Sequence, residues 1–180
     1  MGDEPGDSIV DDESDWTWVL ERTCAECGFD VANLDPTEVA PMLRANAREW
    51  AELLGGSTDA LRQRPRADRW SPLEYACHVR DVFGIYDQRL DLMLTEDGPR
   101  YPNWNQDETA RVERYNDADP AVVAVEVVEA ADALAVRFDS VTGEGWRRTG
   151  HRSDGASFTV DTFARYFIHD PVHHLWDVRQ

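Results

Sequence analysis

The chain has 180 residues, with 36 acidic and 18 basic side chains and a formal net charge of −18. This length predicts one domain with a single substantial core. The acidic excess repels phosphate backbones and anionic lipids, so we expect neither nucleic acid nor a membrane as a partner. The sequence lacks an apolar run of membrane-spanning length and a secretory signal pattern, and this favours a cytoplasmic location.

The N-terminal part of the chain differs from the rest in composition. Residues 1–15 hold seven acidic and no basic side chains, which predicts a disordered acidic tail. Residues 16–34 form an N-terminal extension that contains Cys24 and Cys27 in C-x-x-C spacing. Such a pair can be half of a zinc ribbon or a redox pair, but the sequence offers no second C-x-x-C. We therefore interpret it as a turn with two structural thiols.

Helix start signals divide residues 35–180 into four long helices. Asp35 and Asp119 each precede a proline, which is the arrangement of an N-cap followed by the first helical residue. Ser71 opens a capping box, and Thr159 can cap the last helix. Apolar residues follow each start at helical spacing. The sequence thus predicts an all-α protein, a four-helix bundle with long inter-helix loops.

Two connections between these helices are long enough to have a role of their own. Residues 100–119 carry Trp104 and a short predicted helix. They are expected to form either a lid or pocket wall, or a surface excursion that packs on Trp104. Residues 140–158 are predicted to be a glycine-rich loop. We expect His151 in this loop to be solvated rather than a ligand, and its arginines to offset the acidic surface rather than to meet an anionic substrate.

The last predicted helix contains the strongest candidate for chemistry. His169 and His173 are four residues apart, so they share a helix face and can bind one divalent cation. His78 on the second helix is the best candidate for a third ligand. His174 points about 100° away from His173 and is expected to support the site or the core. Asp177 could orient a ligand imidazole.

Pro171 and the three imidazole ligands determine what we expect of this site. Pro171 removes one helical hydrogen bond between the two histidines and predicts a kink, at a cost of about 3 kcal/mol in an ordinary helix. Three neutral imidazoles with an open position are typical of catalytic zinc, and nickel or ferrous iron can also occupy such a site. The open position can bind water and lower its pKa, or hold a thiol as its thiolate.

These residues resemble the DinB/YfiT-like superfamily of metalloenzymes. The resemblance rests on the segment from Arg69 to Glu74 that leads to His78, on the spacing of His169 and His173 with the adjacent His174, and on the order of the helices. It implies a bundle of up-down-down-up type with a three-histidine metal site at one end. Residue by residue, the implied metal ligands are His78, His169 and His173.

The resemblance also implies a choice of reactions. The family includes a mycothiol-dependent maleylpyruvate isomerase, which is similar to this chain but has a glutamate at the position of His169, so that isomerisation does not transfer. The first expectation is a divalent-metal-dependent S-transferase that activates a low-molecular-weight thiol such as mycothiol against a small electrophile. The alternatives are a metal-dependent hydrolase and a non-catalytic metal-binding bundle. A homodimer is left open.

Overall fold

The structure, a computed structural model, describes residues 15–180. Residues 1–14 lie outside the described part, so the predicted acidic tail is represented only by its last residue. The Asp15 carboxylate accepts a hydrogen bond from the Thr17 backbone N–H at 2.9 Å and caps a 3-10 helix over Trp16–Leu20. This helix packs against the last helix of the chain. Within the described residues, no helix is both long and apolar enough to cross a membrane.

Four long helices form the predicted bundle. Two short helices lie in the connections between them. In chain order the helices are α1 Val39–Leu54, α2 Thr58–Arg62, α3 Pro72–Thr95, α4 Gln106–Val112, α5 Pro120–Asp139 and α6 Val160–Asp177. The helix α5 packs against both α1 and α3, and α6 also contacts both of them. A buried cluster of mainly aliphatic and aromatic side chains fills the space between the four long helices.

The predicted helix starts are confirmed at the level of single hydrogen bonds. Ser71 accepts the Glu74 backbone N–H while the Glu74 carboxylate accepts the Ser71 N–H, which completes the capping box of α3. Asp119 caps α5 and Thr159 caps α6. Asp35 caps a 3-10 turn, Pro36–Glu38, and the α-helical geometry begins only at Val39.

A small sheet replaces part of the predicted loops. Its strands are β1 Arg100–Tyr101, β2 Thr149–Arg152 and β3 Ser157–Thr159. The strand β2 is central, parallel to β1 and antiparallel to β3. The prediction of an uninterrupted loop over residues 140–158 was therefore wrong. The sheet connects residues 100–119 with residues 140–158, which we call the two long excursions, and holds them side by side at one end of the bundle.

A glycine lets this sheet lie directly on the bundle. A Cβ atom at Gly150 would lie 2.7 Å from Cγ of Met93 on α3 and 2.9 Å from Cε1 of Tyr101. Only a residue without a side chain fits between these two groups. The close approach fixes the position of both long excursions relative to α3, and therefore relative to the residues that α3 contributes to the site described below.

The last helix continues through its internal proline. The range Val160–Asp177 is one α-helix although Pro171 lies inside it. The backbone carbonyl of Pro171 accepts a hydrogen bond of 3.1 Å from the buried Asn46 side-chain amide of α1. This contact ties α6 to α1 beside the turn that carries the three histidines.

Candidate metal centres

One turn of α6 presents two pairs of ligand-type side chains to different surroundings. His169 and His173 form one pair, and Asp170 and His174 form a second pair displaced by one residue. Because successive residues of an α-helix are rotated by about 100°, the two pairs face different directions. Each pair meets partners from another part of the chain, so that the described residues contain two groups with metal-ligand chemistry.

The three predicted ligands are divided between these two groups. His78 lies with Asp170 and His174, and we call this set the histidine–carboxylate cluster. His169 and His173 lie with Cys24 and Cys27, and we call this set the cysteine–histidine cluster. Among the described residues, His78 is not grouped with His169 and His173, the pair for which it was the predicted third ligand. His174, which was expected to play a supporting role, lies beside His78 instead.

Within the histidine–carboxylate cluster, two imidazoles face one carboxylate. The Nε2 atom of His78 is 3.3 Å from both Asp170 oxygens, and the Nε2 atom of His174 is 3.3 Å from Oδ2 of Asp170. The two imidazole rings are 5.0 Å apart between centroids and nearly perpendicular. Here α3 supplies the first histidine and α6 supplies the other two groups, so the packing of these helices sets the distances.

Neighbouring side chains hold these rings in place. The Nδ1 atom of His174 is 3.2 Å from a carboxylate oxygen of Asp177, which is itself paired with Arg69. The Trp104 ring is stacked on His78 with 5.4 Å between centroids and 5° between planes. Trp70 packs on another side of the same imidazole at 5.2 Å. The prediction that Asp177 orients an imidazole is consistent with this geometry, although that imidazole is chiefly His174.

The charges of the cluster stabilise one another. Burial raises the pKa of Asp170, but the nearby His174 and His78 side chains outweigh burial and hold this pKa well below its ordinary value. Burial lowers the pKa of His174, but the Asp170 and Asp177 carboxylates outweigh burial and raise the pKa to about 9. In the absence of a cation, these electrostatics place a carboxylate beside an imidazolium.

The histidine–carboxylate cluster lies in the wall of a cavity of about 880 Å³. His78 is almost fully buried, whereas 31% of the Asp170 side-chain surface remains exposed. Both long excursions contribute to the walls, as expected for a pocket wall, and so does the N-terminal extension. The walls combine aromatic, cationic and acidic groups, represented by Trp104, Tyr166, Arg89, Arg152, Asp154 and Glu26.

His169 and His173 of the cysteine–histidine cluster also line this cavity, but both are buried and so is Cys24. The Sγ atom of Cys24 is 3.7 Å from Nδ1 of His173, and the Sγ atom of Cys27 is 3.7 Å from Nε2 of His169. Burial and the neighbouring His173 lower the pKa of His169 to about 4. Burial raises the pKa of Cys27 to about 11. Without a cation, burial therefore favours the neutral imidazole of His169 and the neutral thiol of Cys27.

The other predicted roles concern side chains of the second long excursion. His151 lies in β2, where its Nδ1 atom is 2.8 Å from Oγ of Ser157, and it joins neither cluster. Arg148 donates to the carbonyls of Met93 and Glu96 at the end of α3. Arg152 pairs with Asp154 and also lines the cavity. These arginines thus bind nearby backbone carbonyls and carboxylates of the protein itself. Arg152 also lies where a ligand in the cavity could reach it.

The histidine–carboxylate cluster fits a divalent cation. Zinc bonds of about 2.0–2.2 Å to nitrogen and oxygen, at a tetrahedral angle, separate the two ligand atoms by about 3.4 Å. The observed separations of 3.3 Å agree with this value. The carboxylate on Nδ1 of His174 leaves Nε2 as its ligand atom, which is a common arrangement around bound metals. Two histidines and one carboxylate leave coordination positions open, as in catalytic zinc and ferrous sites.

Comparisons with known proteins agree with this bundle. YfiT from Bacillus subtilis, a probable metal-dependent hydrolase with an unusual four-helix bundle topology, is similar in structure with a TM-score of 0.66 and 17% sequence identity. The similarity covers 88% of this chain and 89% of YfiT. No curated protein matches the sequence. The sequence profile of the DinB superfamily matches residues 42–178. That range includes most of α1, the other three long helices and the histidine–carboxylate cluster, and the chain therefore belongs to the DinB superfamily.

Proposed function

We propose that this chain is a metal-dependent hydrolase of a small substrate, with His78, Asp170 and His174 as the ligands of a catalytic divalent cation. The observation that carries the proposal is the pair of 3.3 Å separations between the two Nε2 atoms and one carboxylate, at the wall of a large cavity. Zinc suits this ligand set best, with nickel and ferrous iron as alternatives. A bound cation of this kind would lower the pKa of a water molecule and polarise a carbonyl group.

The residues around the cluster would hold its ligands in a productive arrangement. The Asp177 carboxylate accepts a hydrogen bond from the Nδ1–H group of His174. This contact keeps the Nε2 atom of His174 directed at the carboxylate of Asp170. The ion pair with Arg69 fixes Asp177 in turn. Trp70 and Trp104 cover His78 on two sides, so the exposed part of the cluster is the Asp170 side. A substrate would therefore approach across Asp170 from the cavity.

The cavity walls indicate a small substrate with both apolar and polar parts. Aromatic rings of Trp104, Tyr86 and Tyr166 provide flat apolar surfaces, and Arg89 and Arg152 provide cationic groups. A volume of about 880 Å³ lies in the range of small-molecule sites. The carboxylate of Glu26 lies on the same wall with 61% of its side-chain surface exposed.

Thiol transfer is the second candidate, because the same cavity carries cationic groups. Arg89 and Arg152 could donate hydrogen bonds to the hydroxyl and carbonyl oxygens of a low-molecular-weight thiol such as mycothiol, while a cation at the histidine–carboxylate cluster would stabilise the thiolate. The two candidates share the metal ligands and differ in the nucleophile. Arg152 is already paired with Asp154, which reduces its availability to any further hydrogen-bond acceptor and places this candidate second.

The test compares metal-dependent rates in variants of the full-length protein. Zinc-loaded protein is assayed with activated esters, lactones and amides, with and without an added thiol. Removal of a group that only supports a metal ligand lowers metal affinity or activity roughly 10–100-fold. Asp170 and His174 are proposed ligands themselves, so we expect Asp170→Asn and His174→Ala to lower the hydrolysis rate by more than this. The matched control is His151→Ala, which changes a histidine outside both clusters and should retain the rate. A rate that is unchanged by chelator, or equal in all four proteins, would contradict the proposal, and a rate that requires the thiol would favour transfer.

A further inference from the structure

We propose that Cys24, Cys27, His169 and His173 bind a second cation, a structural Zn²⁺ that fastens the N-terminal extension to α6. This site is separate from the catalytic centre proposed above and does not depend on its activity. It uses the C-x-x-C pair, which the bundle itself does not require, and the histidine pair that does not face His78.

The separations within the cysteine–histidine cluster match a tetrahedral zinc site. Bonds of about 2.3 Å to sulfur and about 2.0–2.1 Å to nitrogen, at a tetrahedral angle, place the two ligand atoms about 3.6 Å apart. Both sulfur–nitrogen separations are 3.7 Å. All four ligand atoms lie within 4.8 Å of one another. Two isolated thiol–imidazole hydrogen bonds would explain each short separation but would not require all four atoms to converge on one point.

The contacts of His173 leave its Nδ1 atom available to a cation. The opposite ring atom, Nε2, lies 3.2 Å from a Glu26 oxygen and 3.7 Å from an Asp177 oxygen. Two carboxylates near Nε2 favour the proton on that atom, so that the lone pair resides on Nδ1, which faces Cys24. A metal-bound histidine commonly donates its other N–H to a carboxylate in this way.

The backbone around the two cysteines is shaped like a ligand-bearing turn. The Gly28 backbone N–H donates to the Cys24 carbonyl at 2.9 Å, and the Cys24 N–H donates to the Phe29 carbonyl at 3.0 Å. Gly28 has a φ of 74°, a conformation that suits glycine and reverses the chain directly after Cys27. The turn directs both thiols toward α6, and both cysteines are free rather than joined in a disulfide.

The enclosure of the cluster indicates a structural rather than a catalytic cation. Cys24, His169 and His173 are buried. The Trp16 ring lies over both imidazoles, at 5.8 Å from the His169 centroid and 5.3 Å from the His173 centroid. Four protein ligands complete a tetrahedral shell without an open position, which is typical of structural zinc. The same ligands then hold Trp16 and Glu26, which line the cavity, in place.

A zinc ion would reinforce the docking of an extension that has little secondary structure of its own. Within residues 15–34 the described secondary structure is one 3-10 helix, Trp16–Leu20. Val19, Cys24 and Val31 are its buried side chains. Its larger apolar side chains pack against the core but are only partly buried: Trp16, Trp18, Leu20, Phe29 and Leu34. A structural zinc ion contributes folding free energy directly, since its site does not exist in the unfolded chain.

The first test uses cobalt, whose tetrahedral thiolate complexes absorb light in the near-ultraviolet and visible regions. Full-length apoprotein is titrated with Co²⁺. We expect a thiolate-to-cobalt charge-transfer band that is lost in the double variant Cys24→Ser with Cys27→Ser, retained in the matched control Cys77→Ala, and retained in His78→Ala. Loss of the band in His78→Ala as well would overturn the assignment to a separate site. Absence of the band in the wild-type protein would overturn it without any variant.

The second test follows the docking of the extension by limited proteolysis. Arg22 is the only trypsin site within residues 15–34, and Arg66 offers a control site in the exposed loop before α3. We expect chelator to accelerate cleavage after Arg22 by at least several-fold while cleavage after Arg66 is unchanged. The zinc-loaded His78→Ala protein should be cut after Arg22 as slowly as the wild type. Equal cleavage after Arg22 with and without chelator would contradict a fastening role, whatever the fate of hydrolase activity.

Discussion

At the scale of single residues, a shift of one position decides which histidine belongs to which site. The pairs His169 with His173 and Asp170 with His174 have the same spacing, so helical periodicity supports both equally. The tertiary structure distinguishes them, because α3 presents His78 to one pair and the extension presents its thiols to the other. The sequence could predict the helix and the ligand types on it, but not which face meets which neighbour.

The Asp177 carboxylate provides a test at this scale. It contacts Nδ1 of His174 and pairs with Arg69, so it holds the imidazole in the orientation that binds a cation. We expect Asp177→Asn to weaken divalent metal binding at the histidine–carboxylate cluster roughly 10–100-fold. Competition against a chromophoric chelator measures this affinity. The matched control is Asp161→Asn on the same helix, where the carboxylate pairs with Arg165 away from both clusters. Equal affinities in the two variants would show that Asp177 has no orienting role.

At the scale of secondary-structure elements, the sequence predicted helices well and strands poorly. The caps at Ser71, Asp119 and Thr159 are where the rules place them, because a cap is a local interaction between residues three or fewer apart. The strands have two to four residues each, which is too short for an alternating pattern to be visible. Their pairing depends on contacts between residues 100–101 and 151–152, which are distant in the sequence.

The capping box of α3 allows a stability prediction with an internal control. Ser71 is fully buried, accepts the Glu74 N–H and donates to the Asn116 side-chain oxygen at 2.7 Å. We expect Ser71→Ala to lower the free energy of unfolding by about 1–2 kcal/mol, as measured by urea denaturation. Ser57 precedes α2 but its side chain makes no cap hydrogen bond, so Ser57→Ala should cost less than about 0.5 kcal/mol. Similar losses in both variants would contradict the capping explanation.

At the scale of the whole molecule, the dominant feature is its acidity. All basic side chains are arginines, and there are half as many of them as acidic side chains. Many of these arginines pair with carboxylates, as Arg137 does with Asp87 and Asp91. The remaining carboxylates repel one another, and a large net charge destabilises a compact state. The N-terminal extension is the whole-molecule feature that the sequence could least predict, because its position depends on a helix at the other end of the chain.

This acidity predicts that salt stabilises the folded protein. Raising the ionic strength from about 0.01 M to about 0.15 M shortens the Debye length from about 30 Å to about 8 Å, which screens the repulsion between carboxylates. We expect the melting temperature to rise over this range in thermal scans monitored by circular dichroism. The double variant Glu113→Gln with Glu129→Gln removes two exposed charges and should show a weaker dependence on salt. A melting temperature that falls with salt would mean that attractive ion pairs outweigh the repulsion.

The contact between Cys24 and His173 has a consequence for how the molecule is assembled. These residues are separated by 149 positions in the chain, so their meeting closes a loop that contains nearly the entire bundle. During synthesis from the N-terminus, the thiols of Cys24 and Cys27 leave the ribosome early. They cannot contact their histidine partners until α6 has also left the ribosome. The entropic cost of closing such a loop grows only slowly with its length, and the folded bundle has already brought the two ends together. Docking of the extension on α6 therefore cannot precede the synthesis of α6.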